Sequence, residues 1–179
     1  MMEFTGISAS PGIARGKAFL FLEDRLSVPR YDIASTQVGF ENERFLSALS
    51  TAAAEVKDLV AQPGGALFEA QLLMFDDPDL KDQVHVSLEE THRNVEWVLM
   101  QIVEQMSEKL AQSDSQYLRE RTVDLVDAGN RILGHLLYRE RTRLSDMKEP
   151  GVLVTRNLMP SDTLGLDRRL VLGDRKSVV

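Results

Sequence analysis

The sequence has 179 residues and contains no cysteine. Disulfides, thiolate catalysis and sulfur-ligated zinc or iron–sulfur centres are therefore excluded. Long apolar runs are also missing: runs such as residues 72–75 are far shorter than the ~20 residues of a membrane-spanning helix. The first residues, Met-Met-Glu-Phe-Thr-Gly, carry no basic stretch followed by an apolar one, so no secretory signal is predicted. These features together lead us to expect a cytoplasmic protein.

Positive charge is scarce, because 21 Lys and Arg stand against 28 Asp and Glu, a net charge of −7. Nucleic-acid binding needs clustered basic residues to neutralise phosphates, so it is not favoured. An acidic surface favours a basic protein partner through complementary fields. The composition, 43% hydrophobic and 27% charged, is that of an ordinary globular protein of one domain or two small ones.

Three zones follow one another along the chain. Residues 13–22 read as a strand after a turn at residues 10–12, and residues 151–155 and 170–173 read as two further strands. The segment between has the period of helices. A β segment of ~30 residues buries too little surface to fold alone, so three independent pieces are disfavoured. We predict a mainly α, α+β fold in which residues 33–144, a helical subdomain, are inserted into an incomplete α/β domain of residues 1–32 and 145–179.

The helical zone is divided by capping signals. An apolar stripe of one helix comprises Phe45, Leu49, Ala52, Val56 and Leu59. Residues 63–65, Pro-Gly-Gly, end this helix, and a short helix is predicted over residues 66–75. Asp77 and Pro78 have the N-cap and first-turn positions of the next helix. Asn94 is predicted to cap another, and Ser113 with Gln116 has capping-box spacing before a last helix. The short links predict an antiparallel bundle.

No catalytic site is evident from the residues. Residues 12–18 fail as a phosphate-binding loop, because the glycine spacing is one residue short and Ala18 replaces the Ser or Thr that would hold magnesium. The histidines, His85, His92 and His135, are predicted to lie on the surface or at helix ends rather than to bind metal. Neither a metal site nor a Ser/His/Asp set is predicted.

Two features suggest a docking surface for a protein. Residues 67–75 form a short helix that is apolar nearly all round and runs into Asp76, Asp77 and Asp79. An apolar patch with an acidic rim is typical of a protein-binding site, but a fully buried helix is the alternative. On the last helix, charges step by four, three and four residues at Glu120, Asp124, Asp127 and Arg131. The alternative there is a solvated polar face with internal pairs such as Asp127–Arg131.

Four segments of the sequence resemble Enzyme I, the phosphoenolpyruvate–protein phosphotransferase of the sugar phosphotransferase system. Residues 6–18, Gly-Ile-Ser-Ala-Ser-Pro-Gly-Ile-Ala-Arg-Gly-Lys-Ala, are similar to the opening strand motif of that family. Residues 68–80 resemble its second helix and kink, and residues 117–133 resemble its fourth helix. Residues 158–163, Leu-Met-Pro-Ser-Asp-Thr, resemble the segment that leads into the phosphohistidine site. The resemblance covers about residues 4–173 in the same order.

The resemblance implies a helical HPr-binding subdomain inserted into a swivelling phosphohistidine domain. In the family, phosphoenolpyruvate phosphorylates a histidine of the α/β domain, which passes the phosphoryl group to the phosphocarrier protein HPr. The implied HPr-docking residues are Glu69, Gln71, Leu73, Met74, Asp79, Leu80, Leu118, Arg121 and Asp124. Gln71 and Pro78 replace the family's usual histidine and acidic residue. No cofactor is expected in this chain, whereas full-length members use magnesium and dimerise through a C-terminal domain.

The end of the sequence departs from the family. After a strand like residues 170–173, Enzyme I continues into a Gly-Gly-x-x-Ser-His motif that holds the phosphorylated histidine, but residues 174–179 read Asp-Arg-Lys-Ser-Val-Val. We therefore expect an HPr-docking surface without the active histidine, and no catalytic activity from this chain alone. The alternatives are a non-catalytic HPr-binding module, or a fragment of a related swivel enzyme such as pyruvate phosphate dikinase or phosphoenolpyruvate synthase.

Overall fold

The computed structural model describes residues 11–21, 27–138, 144, 147–155, 158 and 166–176. Within them the chain forms a helical bundle and a small parallel sheet. The strands are β1 (Lys17–Phe21), β2 (Gly151–Thr155) and β3 (Val171–Lys176). The helices are α1 (Val38–Val60), α2 (Glu69–Asp76), α3 (Pro78–Thr91), α4 (Val95–Ala111), α5 (Gln116–Glu120) and α6 (Thr122–Leu136). The predicted mainly α, α+β fold is confirmed.

The core of the bundle lies where α1, α4 and α6 meet. α1 packs against α2, α3, α4 and α6, and α6 also packs against α4. Phe45, Ala52 and Val56 of the predicted α1 stripe are fully buried, as are Val95 of α4 and Ile132 of α6. The apolar faces of α1, α2, α3, α4 and α6 therefore meet in one continuous core that excludes water.

Left-handed residues lie before the 3-10 turn that follows α1 and at the end of α3. After α1, Gly64 has a φ of +85°, and a 3-10 turn, Gly65–Phe68, leads into α2. A Cβ on Gly65 would lie 2.0 Å from the carbonyl oxygen of Leu59, so no other residue fits there. α1 ends at Val60, three residues before the Pro-Gly-Gly segment that was predicted to end it. α3 ends at His92, whose φ is +50°.

Of the three predicted N-caps, Asp77 is confirmed, Asn94 has the predicted position without the capping bond, and Ser113 is wrong. Asp77 accepts a hydrogen bond from the backbone N–H of Asp79 at 2.9 Å, and Pro78 begins α3, as predicted. Ser115, not Ser113, precedes α5, and Ser113 instead accepts from the N–H of Ser115 at 3.2 Å. The capping box fails because Gln116 donates to Glu120 one turn onward, at 2.8 Å. Arg121 further divides the predicted last helix into α5 and α6.

Asn94 precedes α4 but does not cap it. Its side-chain amide donates to the carbonyl of Pro29 at 3.0 Å, and its Oδ1 accepts from the N–H of Tyr31 at 3.0 Å. The first N–H of α4, on Val95, donates to the carboxyl group of Glu41 at 2.9 Å. A side chain distant in sequence therefore caps α4. Asn94 instead attaches the segment before α1, at Pro29 and Tyr31, to the bundle.

Arg44 completes this polar cluster from α1. Its guanidinium donates to Glu41 at 2.7 Å and to Glu96, and both carboxyl groups are buried. Burial by itself lowers the pKa of Arg44, but the hydrogen bonds to Glu41 and Glu96 outweigh it and raise the pKa above its ordinary value. Arg44 therefore stays charged and compensates two buried acids, which would be costly to leave unpaired.

The sheet combines strands from both sides of the helical segment in the sequence. β1 pairs with β2 and β2 pairs with β3, all parallel, in the order β1-β2-β3. A second, smaller hydrophobic cluster lies against it, formed by Phe21, Leu144 and Leu153. The first strand is shorter than predicted, and the third extends beyond residues 170–173. The proposed domain boundaries at 32/33 and 144/145 stay a prediction.

Parts of the predicted motifs fall outside the described residues. These are residues 6–10 of the opening motif and residue 22 of the first predicted strand. Residues 159–163, of the segment that resembles the one leading into the phosphohistidine site, and the C-terminal residues 177–179 also lie outside them. Among the helices that are described, none is long and apolar enough to cross a membrane.

Candidate functional site

α2 is a short helix with one buried side and one exposed side. Gln71 and Phe75 are buried, whereas Leu73 is 75% exposed and Met74 is half-buried. In the turn before it, Leu67 is also exposed. The alternative of a fully buried helix is therefore wrong, because part of its apolar surface faces the solvent.

Three acidic residues, Asp76, Asp77 and Asp79, follow Leu73 at the end of α2 and the start of α3. Asp76 and Asp79 are exposed and Asp77 is half-buried, whereas Leu80 is buried in the bundle core. The carboxyl groups around the turn between α2 and α3 therefore face the solvent, while Leu80 in the first turn of α3 packs into the core. A basic partner would find complementary charge here.

Arg121 lies at the junction of α5 and α6 and is held by two neighbours. Its guanidinium donates to Asp124 at 2.9 Å and to the hydroxyl of Tyr117 at 3.0 Å, and it lies 5.0 Å from the Tyr117 ring centroid. The hydrogen bond to Asp124, then that to Tyr117, raises the pKa of Arg121. Beside it Leu118 is 39% exposed. The cation is thus preorganised next to an exposed apolar residue.

Sequence reasoning missed Tyr117, an exposed residue that contacts Arg121, as a member of this surface. The sequence did carry a signal for it, because Tyr117 lies four residues before Arg121 and so on the same side of a helix.

The predicted polar face of the last helix is wrong at two of its four positions. Asp127 is 0% exposed and Arg131 is 7% exposed. Asp127 accepts a hydrogen bond from the side-chain amide of Gln71 at 3.1 Å, and Arg131 donates to Glu55 of α1 at 3.1 Å. The reason is that α6 packs against α1, α2 and α4, so its buried side is wider than its apolar stripe.

The structure assembles the nine predicted docking residues only in part. Glu69, Leu73, Met74 and Asp79 offer exposed or half-buried side chains on α2 and the start of α3. Leu118, Arg121 and Asp124 do so around the α5–α6 junction. α2 packs against α6, which brings the two groups onto neighbouring elements. Gln71, 2% exposed, and the buried Leu80 present no side chain to a partner in this conformation.

The three histidines lie on the surface or near helix ends, as predicted. His85 lies 3.5 Å from Glu89 on the same helix, and His92 terminates α3. His135, in the last turn of α6, lies 3.4 Å from Glu55. In the part of the chain that the structure describes, no group of three or more His, Asp or Glu residues could hold a metal ion.

Comparison with known families identifies the N-terminal part of a larger class of enzymes. A family model described as "PEP-utilising enzyme, N-terminal" matches residues 5–121. A phosphoenolpyruvate-protein phosphotransferase of Listeria innocua is 34% identical, with 96% of this chain and 31% of that protein covered. The Bacillus subtilis protein of the same name is 31% identical, again with 31% of its length covered. The chain thus spans about a third of these relatives.

Solved structures match the fold. An NMR solution structure of Enzyme I (nEIt) superposes with a TM-score of 0.78 at 33% identity, covering 93% of this chain and 70% of that one. A structure described as the N-terminal domain of Enzyme 1 - Nitrogen superposes with a TM-score of 0.63 at 23% identity, a likeness of fold alone.

Proposed function

The chain belongs to the N-terminal family of phosphoenolpyruvate-utilising enzymes, on the Enzyme I branch, and from this premise we propose that it provides the HPr-docking surface of a phosphotransferase. In the reaction of such an enzyme, a histidine accepts a phosphoryl group from phosphoenolpyruvate and passes it to HPr. The docking surface consists of Glu69, Leu73, Met74 and Asp79 on one side, and Leu118, Arg121 and Asp124 on the other.

The exposure of Leu73 carries this proposal. Leu73 is the most exposed leucine of the described residues. It lies on a helix whose opposite side is packed into the bundle. Burying one leucine side chain removes about 1.5–3 kcal/mol of unfavourable hydration, so a partner that covers it gains affinity. Apolar anchors surrounded by charge are the usual centre of a protein interface.

Arg121 is suited to be the polar anchor of the same surface. Arginine is enriched at the energetic centres of interfaces, since its planar guanidinium can make several hydrogen bonds at once. Asp124 and Tyr117 already hold it in one orientation, so less side-chain entropy is lost when a partner binds. The acidic residues Asp76 and Asp79 add a field that would attract a basic face of HPr.

The role of these residues is to bind and orient. By holding HPr against the bundle, the surface turns the encounter of HPr with the phosphorylated histidine of such an enzyme into a reaction within one complex, which lowers its entropic cost. None of the docking residues is assigned a chemical step.

Calorimetric titration of HPr into the chain tests the proposal. Leu73→Glu should weaken binding at least about tenfold, since a charge would replace an apolar anchor at the interface. Leu46→Glu is the matched control, because Leu46 is an exposed leucine on α1, outside the proposed surface. It should leave the affinity unchanged. No binding of HPr by the unsubstituted chain, or equal losses in the two variants, would contradict the proposal.

A further inference from the structure

Gln71 is a buried polar residue of α2 whose position conflicts with a direct contact to a partner. We infer that Gln71 is a positioning residue: its hydrogen bond to Asp127 holds α2 on α6 so that the two halves of the docking surface keep one relative arrangement. This inference rests on the proposed function and extends it to two residues that a docked protein would not touch.

The geometry of α2 links the direction of Gln71 to that of Leu73. Successive residues of an α-helix are ~100° apart, so residues 71 and 73 lie about 200° apart and face nearly opposite ways. When Gln71 points to Asp127 at 3.1 Å, Leu73 is directed outward, in agreement with its 75% exposure. Met74, about 60° from Gln71, is half-buried, which fits the same orientation.

α2 is also held by apolar packing, since the fully buried Phe68 precedes it and Leu72 and Met74 pack against the bundle core. It is eight residues long, and the only buried residues within it are Gln71 and Phe75. Apolar packing such as that of Phe75 has no preferred direction, whereas a hydrogen bond weakens steeply when its angle or length changes. The contact between Gln71 and Asp127 therefore supplies a directional side-chain restraint between α2 and α6.

Breaking this contact would leave Gln71 poorly satisfied. Its Oε1 has no hydrogen-bond partner among the described residues. The bond from Nε2 to Asp127 is therefore the one described hydrogen bond of the side-chain amide. A shift of α2 that kept the amide buried but moved it away from Asp127 would leave both of its polar atoms without a partner, which is unfavourable. The hydrogen bond of Gln71 therefore favours the observed orientation of α2 in addition to the apolar packing.

Asp127 transmits the same restraint to the other half of the surface. It lies on α6 three residues after Asp124 and six after Arg121, so one rigid helix carries the acceptor for Gln71 and the carboxyl partner of Arg121. One turn further on, Arg131 donates to Glu55 and attaches α6 to α1. The polar contacts therefore connect α2, α6 and α1 beneath the surface proposed to bind HPr.

HPr affinity of the chain with Gln71→Leu tests the inference. We expect a loss of roughly fivefold, the factor that corresponds to one net hydrogen bond. Gln101→Leu is the matched control, because Gln101 also donates to a carboxyl group at 3.1 Å, that of Glu104, but this bond is exposed and lies within α4, outside the proposed surface. It should not alter the affinity. The titrations are made at a temperature at which circular dichroism shows every variant folded.

Asp127→Asn gives the conservative test. The asparagine amide can accept from Gln71 Nε2 and also donate to the unpaired Oε1, so the affinity should stay within about twofold of the original. Asp127→Leu should lose about as much as Gln71→Leu. If Gln71→Leu only lowers Tm and binds HPr as the original chain does, the residue is merely structural and the inference is wrong. If Gln71→Leu does not fold, the contrast between the Asn and Leu variants at position 127 decides.

A measurement on the free chain separates this inference from the proposed function. The methyl resonances of Leu73 and Leu118 should shift in Gln71→Leu and not in Gln101→Leu, because α2 would change its orientation only in the first. If the unsubstituted chain does not bind HPr, the proposed function fails, yet these shifts would still support the positioning role. Unchanged resonances in Gln71→Leu would contradict it.

Discussion

At the scale of single residues, Gly129 shows how closely two helices approach. It lies on α6 opposite Val103 of α4, and a Cβ at this position would lie 2.7 Å from one Val103 methyl group and 2.9 Å from the other. Valine is β-branched and cannot turn its side chain away easily. The glycine is therefore required by packing, although glycine is unfavourable inside a helix.

Gly129→Ala should lower the free energy of unfolding by about 1–3 kcal/mol, since the added methyl overpacks the contact with Val103. Gly39→Ala is the matched control: Gly39 is an exposed residue in the first turn of α1, with nothing within 4 Å of the position that an added Cβ would take. Helix propensity alone should make that variant more stable, by up to ~1 kcal/mol. Urea denaturation of both variants measures the two effects, and the same sign of change in both would refute the packing argument.

At the scale of elements, Asp77 separates α2 from α3 and gives the docking surface its bend. Asp77 has an extended conformation, with ψ of 118°, between two helical segments. Its carboxyl group caps α3 by accepting from the N–H of Asp79, and Pro78 supplies a first residue without an N–H to satisfy. The orientation of Asp79 in the acidic rim thus depends on this cap.

Asp77→Ala should lower the free energy of unfolding by ~1 kcal/mol, the usual effect of losing an N-cap. Ser115→Ala provides the comparison, because Ser115 precedes α5 without making a side-chain cap. Its unfolding should be unchanged in thermal or urea denaturation. Equal losses in the two variants would show that the Asp77 hydrogen bond contributes nothing.

At the scale of the whole molecule, the two hydrophobic clusters differ greatly in extent. The cluster of the bundle draws buried residues from α1, α2, α3, α4 and α6. That of the sheet, within the described residues, contains only Phe21, Leu144 and Leu153 as buried members. In the sheet of the described strands, β1 and β3 are the outer strands and β2 lies between them. Local stability follows the buried apolar contacts, so the two regions should open with different free energies.

Native-state hydrogen exchange should therefore be faster in β3 than in α4 and α6. Amides of Ile102 and Ile132, in the bundle core, should exchange slowest, and those of β3 residues such as Leu172 at least about tenfold faster. The measurement is made by NMR at constant pH, with intrinsic rates corrected for sequence. Protection of β3 equal to that of the bundle would contradict the unequal stability.

Much of the fold could be predicted from local patterns. The α1 stripe, the Asp77–Pro78 start of α3 and the strand Gly151–Thr155 all depend on near neighbours in the sequence, and each was found as predicted. The caps at Asn94 and Ser113 failed because other partners competed for those groups. Glu41, 54 residues before Val95, caps α4, and no local pattern indicates such a pair.

The candidate site divides in the same way. By itself the sequence determined the helical period, the acidic balance and a likeness to Enzyme I from which nine docking residues could be named. Only the tertiary structure decided which of them face the solvent: Leu73 does, whereas Gln71 turns inward to Asp127. The physical reason is that burial depends on which helices pack on a residue. Because α6 packs against α1, α2 and α4 at once, charged residues of a face that is polar in sequence lie inside.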